Sequence, residues 1–280
     1  MLGCNLGYIE NCVFNGKLKR VTINKVTRPF IEYQLHLPEM ENTTIEEIVG
    51  DNSIQSVISN SYIKLITDVT ELKYPNLIGC SIQTLKHVIV ENLLENSTLG
   101  NVEESTFSGK LSESVIGDII TLTLKANVEK SNFLNIENTT INNPIAESVF
   151  GNIKDSTFTG DIQKSIFGNI ENFTLNSSIS ESQFGNISTN TSINGSITKC
   201  TFLNVSDSKL QESLTNSTFK DVTTSTISGS INNSHFDNIS TNSEISGSIT
   251  DSNFGIIDNS KIYGSITESD FLNIVGVSTL

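Results

Sequence analysis

A phenylalanine recurs every 17 or 18 residues from the middle of the chain to its end: Phe133, Phe150, Phe167, Phe184, Phe202, Phe219, Phe236, Phe254 and Phe271. Each follows a small residue by two places. A fixed period of this length marks a stacked repeat, in which each unit buries its apolar face only against its neighbours. The unit reads S-x-F-x-N-I-x-x-S-x-I-x-G-S-I-x-x. Position 1 is small throughout, from Cys80 and Ser97 to Ser252 and Ser269. Position 3 is Ile82, Leu99 and Ile116 before the phenylalanines begin, and position 6 is aliphatic from Leu85 to Ile274. Two further apolar columns run from Ile141 to Ile262 and from Ile145 to Ile266.

A helix needs apolar residues at three- and four-residue spacings, whereas these alternate. Alternation is the strand period. The inward parity breaks between positions 5 and 6, between 6 and 9, and between 15 and the next position 1, and a corner is expected at each break. Units of this kind stack strand over strand about 4.8 Å apart. The expected fold is all-β: a single-chain parallel β-solenoid of about 17 residues per coil, right-handed, with Phe, Ile, Ser and Asn ladders.

Position 5 is asparagine or aspartate from Asn101 and Asp118 to Asn238 and Asn273, with Ile256 the exception. Asparagine tolerates unusual backbone angles, and its amide both donates and accepts, so a ladder at a corner is expected. The glycine column at position 13, including Gly109, Gly160, Gly195, Gly229, Gly247 and Gly264, points to a bend or close backbone approach. In both 18-residue units the extra residue falls within Ser188–Ser192 or Ser240–Glu244, which assigns that corner to solvent. The residue before position 1 alternates in sign: Glu113, Lys130, Glu147, Lys164, Glu181, Lys199. Stacked opposite charges attract, and a slip of one coil would set like on like.

Residues 80–280 form the regular repeat. Residues 1–79 read as irregular first coils of the same solenoid, with a small attachment region as the competing reading. Cys4, Leu6, Ile9, Cys12, Phe14, Gly16 and Leu18 match the unit, and Val21, Ile23, Val26, Ile31 and Leu35 match the next. The pattern begins at Cys4 and still runs at Leu280. With no polar cap in sight, contacts at the ends with copies of the chain or with other structural proteins are expected.

The net charge of −14 argues against nucleic acid and anionic membranes as partners. Against that background Lys17, Lys19, Arg20, Lys25 and Arg28 form a basic stretch with no acid among them. It is either an exposed face of the first coils or a docking patch for an acidic partner. Cys80 and Cys200 fall in one column seven coils apart, about 34 Å, so all four cysteines read as small buried residues. No signal peptide and no apolar run long enough to span a membrane is present, which points to synthesis in a reducing cytoplasm.

Carbohydrate-cleaving sites need paired carboxylates and usually aromatic platforms. Here the phenylalanines point inward, and the outward acids Glu103, Glu104, Glu137, Asp155, Asp207 and Asp258 are spread by the repeat. His36, His87 and His235 lie far apart, and no zinc spacing or calcium nonapeptide occurs. No catalytic residue, metal site or cofactor is expected, and the chain reads as non-enzymatic. A polysaccharide-binding or -cleaving β-helix is the alternative of another class.

The regular unit over residues 80–280 resembles the β-helical shafts of phage and large-virus fibres and, more loosely, bacterial surface adhesins. Its apparent lack of caps is similar to the bactofilin class of stacking filaments. The resemblance implies a rigid structural rod, part of a fibre or virion appendage, homo-oligomeric and assembled in a host cytoplasm. A cytoplasmic or cell-surface filament is the alternative.

Overall fold

The computed structural model describes residues 3–10, 18–27, 40–49, 57–68 and 77–276. Lys17, Arg28, His36 and the coil positions Cys12, Phe14, Gly16, Ile31 and Leu35 lie outside them. The fold is a parallel β-solenoid, and among the described residues there is no helix. One turn shows the pattern. Thr218–Thr223 forms the long side, Thr226–Ile227 the second and Ile231–Asn232 the third. Each side pairs in parallel with its copy in the next turn, Phe219 facing Phe236, Ile227 facing Ile245 and Ile231 facing Ile249.

The chain divides into two compact units, Met1–Asn143 and Pro144–Leu280. In the first, Asn5–Glu10, Thr22–Thr27, Thr44–Val49, Tyr62–Thr67 and Ser81–Lys86 stack in order as long sides. The described part of residues 1–79 is therefore built of coils. Some are longer: Thr22 faces Thr44 and Tyr62 faces Ser81, and the added residues lie outside those described.

In the second unit the rings of Phe150, Phe167, Phe184, Phe202, Phe219, Phe236, Phe254 and Phe271 form one column. Successive centroids are 4.6–5.0 Å apart and the planes lie within 1–7° of parallel. This spacing is that of adjacent strands, so the backbone repeat sets the ring stack. Ile187, Val205, Val222, Ile239 and Ile257 pack beside it, each at most 1% exposed. Burying one such phenylalanine contributes roughly 1.5–3 kcal/mol. Phe158 and Phe173 interrupt the pattern inside, meeting edge to face at 4.8 Å and 88°.

The corners differ from expectation in one respect. Two sharp corners lie at positions 8 and 17, where non-glycine residues take left-handed backbone angles. Asp155, Asn172 and Asp207 have φ of 49°, 48° and 47°, and Glu147, Lys164, Glu181 and Lys199 have 51°, 50°, 50° and 54°. The alternating charges thus occupy a strained corner, where asparagine also stands at Asn216 and Asn233 (φ 52° and 47°). The extra residue of each long coil doubles the other corner: Thr189 and Asn190, and Thr241 and Asn242, all have positive φ and are exposed.

By contrast, the break placed between positions 5 and 6 is no corner. It lies inside the six-residue strand, one place earlier. Positions 4 and 5 both face outward, and the ladder skips position 4, pairing Phe184 with Phe202 and then Asn186 with Asn204. The asparagine row therefore stands on the outer face of a kinked strand. The third bend, at positions 12–14, is where glycine matters. A Cβ on Gly247 would sit 2.0 Å from the carbonyl oxygen of Gly229 in the turn below.

Candidate functional site

Most buried corners carry a hydroxyl; Cys80 and Cys200 stand at position 1, and Val88, Leu122 and Phe173 at position 9. After the left-handed residue the chain turns inward at position 1, and its side chain lies beside an amide of the turn below and a carbonyl of its own turn that already accepts one backbone N–H, as Thr215 O does from Lys199 N at 2.9 Å. Ser217 Oγ accepts the N–H of Cys200 one turn below at 3.1 Å and donates to the carbonyl of Thr215 at 2.9 Å. The same pair of bonds recurs at Ser165 with Ser148 and Gln163, and at Ser182 with Ser165 and Ser180. Position 9 repeats it: Ser225 Oγ accepts from Ser208 N at 3.2 Å and donates to Thr223 O at 2.7 Å. Buried polar groups need such partners. Cys200 stands in this ladder with Sγ 3.3 Å from Thr198 O, and burial pushes its thiol up to about 11. Burial likewise raises Cys80. Cys80 and Cys200 are free thiols.

Outside, the asparagine row forms its own ladder. Asn186 Nδ2 donates to Asn169 Oδ1 at 3.0 Å, Asn238 to Asp221 Oδ1 at 2.7 Å, and Asn135 to Asp118 Oδ1 at 2.7 Å. These bonds join side chain to side chain as the expected ladder, but on the face of the long strand and not at a corner.

Of the basic stretch, Lys19, Arg20 and Lys25 are described. Lys19 pairs with Glu41 of the next coil, and Lys25 with Glu47 at 2.8 Å. Arg20 takes the left-handed corner position, φ 52°. Two of the three cations thus face carboxylates that lie 22 residues on, which no local reading of the stretch brings together.

One cluster was missed. His87 occupies a left-handed corner between Asp68 and Glu104 of the flanking coils. Its Nδ1 lies 2.8 Å from Asp68 Oδ1 and its Nε2 2.8 Å from Glu104 Oε2. The hydrogen bond to Asp68 is the main cause that raises the imidazole above its ordinary value, and the same bond lowers Asp68. Beside it Lys86 pairs with Glu103 at 3.1 Å, which raises the ammonium. Reading position 8 down the column, as position 17 was read, would have found it. His235 pairs instead within its own strand, with Asp237 at 2.8 Å.

Among the described residues, no group of His, Cys, Asp or Glu side chains is arranged to hold a metal ion. A shallow polar recess beside the first doubled corner is lined by Asn190, Asp207, Lys209, Gln211 and Thr226, among others. No helix is long and apolar enough to cross a membrane among the described residues. The class these features define is the regular parallel β-solenoid. Comparison with family models, with curated proteins and with solved structures found no match.

Proposed function

We propose that this chain is a non-enzymatic structural protein, part of a fibre or virion appendage, that contacts copies of itself or other structural proteins through its ends or sides. The observation that carries this reading is the unbroken ring column from Phe150 to Phe271. Stacking of near-identical rungs, each with its corner hydroxyls satisfied, uses the sequence to build a uniform stack. Conserving that uniformity over so many turns is a cost suited to a scaffold, and it spreads outward chemistry evenly. Assembly in a cytoplasm fits the free, buried thiols of Cys80 and Cys200.

Negative-stain electron microscopy of the purified chain tests the proposal. Discrete particles of one length, alone or as small oligomers, are the expected result. Unbounded filaments would favour a cytoskeletal or surface filament instead, and cleavage of a polysaccharide in a substrate screen would overturn both readings.

A further inference from the structure

The long side of the second unit carries a field without charge. Over four consecutive turns its outward positions 2, 4 and 5 read Val149, Gly151, Asn152; Ile166, Gly168, Asn169; Gln183, Gly185, Asn186; and Thr201, Leu203, Asn204. The next turn ends it with Lys220 and Asp221. Val149, Ile166 and Leu203 are 40%, 46% and 49% exposed. The glycines leave bare backbone, and the ladder of amides lies alongside. One rim of the field is the corner row Glu147, Lys164, Glu181, Lys199, all exposed. Within that row the contact of Lys199 with Glu181 is long, 3.9 Å. The opposite rim holds Lys154, Glu171, Ser188 and Ser206. A centre depleted of charge inside a charged rim is the anatomy of a protein interface.

We propose that this face docks on the same face of a second copy, antiparallel, about a two-fold axis that passes between the Ile166 and Gln183 turns. The charge order selects that partner. Reversed end for end, the row Glu-Lys-Glu-Lys becomes Lys-Glu-Lys-Glu, so Glu147 meets Lys199 and Lys164 meets Glu181. The same operation sets Leu203 over Gly151, a side chain against a place that has none, and Ile166 over the stem of Gln183. On the far rim Lys154 meets Ser206 and Glu171 meets Ser188, while the corner carboxylates Asp155 and Asp207 come opposite each other as a like-charge pair. A two-fold interface requires this kind of self-complementarity. Four turns at about 4.8 Å by a six-residue strand give roughly 400 Å² per copy, half of the ~800 Å² usual in stable complexes. The contact is therefore weak in solution, salt-sensitive, and suited to reinforcement along an assembly. It rests on the structural reading above and specifies its side contact.

Sedimentation equilibrium of the full chain, at low and high salt and up to ~1 mM, reads the outcome. A monomer–dimer equilibrium that weakens with salt is expected. Ile166→Glu, and separately Glu147→Lys with Glu181→Lys, should abolish it while circular dichroism stays unchanged. The fourfold exchange Glu147→Lys, Lys164→Glu, Glu181→Lys, Lys199→Glu restores the complementary order and should restore the dimer. A chain monomeric throughout, or a dimer indifferent to these variants, overturns the proposal. If micrographs of such a chain still show regular assemblies, the structural role stands and only this face is excluded.

Discussion

A single serine hydroxyl in this fold completes an amide in the turn below and adds a second bond to a carbonyl of its own turn. That is why positions 1 and 9 are small and polar yet buried: Ser165, Ser182 and Ser217 are each 1% exposed. Replacing Ser217 with alanine strands the amide of Cys200 away from water, while the carbonyl of Thr215 keeps its bond from Lys199 N. A loss of about 1–3 kcal/mol is expected, read as a lower denaturant midpoint at unchanged slope. Ser217→Cys should cost less, because sulfur already fills this place at Cys80 and Cys200. The small-residue columns were legible in the sequence. The reason for them was not, since it depends on left-handed angles at residues such as Lys164 and Glu181 that glutamate and lysine do not advertise.

At the scale of one strand, the sequence specified alternation well and the kink poorly. Phe219 and Val222 point inward three places apart, so one extra outward residue had to lie between them. Periodicity alone does not say where. The asparagines suggested position 5 as a corner, but the glycines Gly168 and Gly185 mark the real irregularity at position 4, where a Cβ would come within 2.6 and 2.7 Å of the carbonyl below. The doubled corners at Asn190 and Asn242 were predicted in place, because an insertion is tolerated only where the chain is exposed. The ring column makes a sharper prediction. Phe219 stacks at 4.6 Å on Phe202 and 4.7 Å on Phe236, so Phe219→Ala opens a cavity shared by three turns. A cost of about 3–5 kcal/mol is expected. Hydrogen exchange should rise first in Thr201–Ser206, Thr218–Thr223 and His235–Ser240, because each turn leans only on its neighbours.

For the whole molecule, stability should depend on pH through its exposed cross-coil charges. His87 is raised in the folded state, so its contribution is full below its ordinary value near 6.5 and is lost as pH rises through the folded value. Asp68 is lowered, so its contribution is present above 3.8 and is lost as pH falls through the folded value. The Asp68–His87–Glu104 clasp is thus most effective in mildly acidic solution. Thermal melts should show a small decline in midpoint from about pH 6 to pH 9, flattened in His87→Gln. The fold class, the stacking and the exposed corners came from one period in the sequence. The pairing of Lys25 with Glu47 did not, because the early turns vary in length and hide which residues lie side by side.

Interchangeable rungs carry no address: a turn that fits on its neighbour fits nearly as well on the next but one. Phe158 meeting Phe173 edge to face, and the two turns lengthened at Asn190 and Asn242, are the places where that equivalence fails. They serve as landmarks that tell the folding chain which turn it has reached, and without them the second unit could exchange turns with another copy of itself.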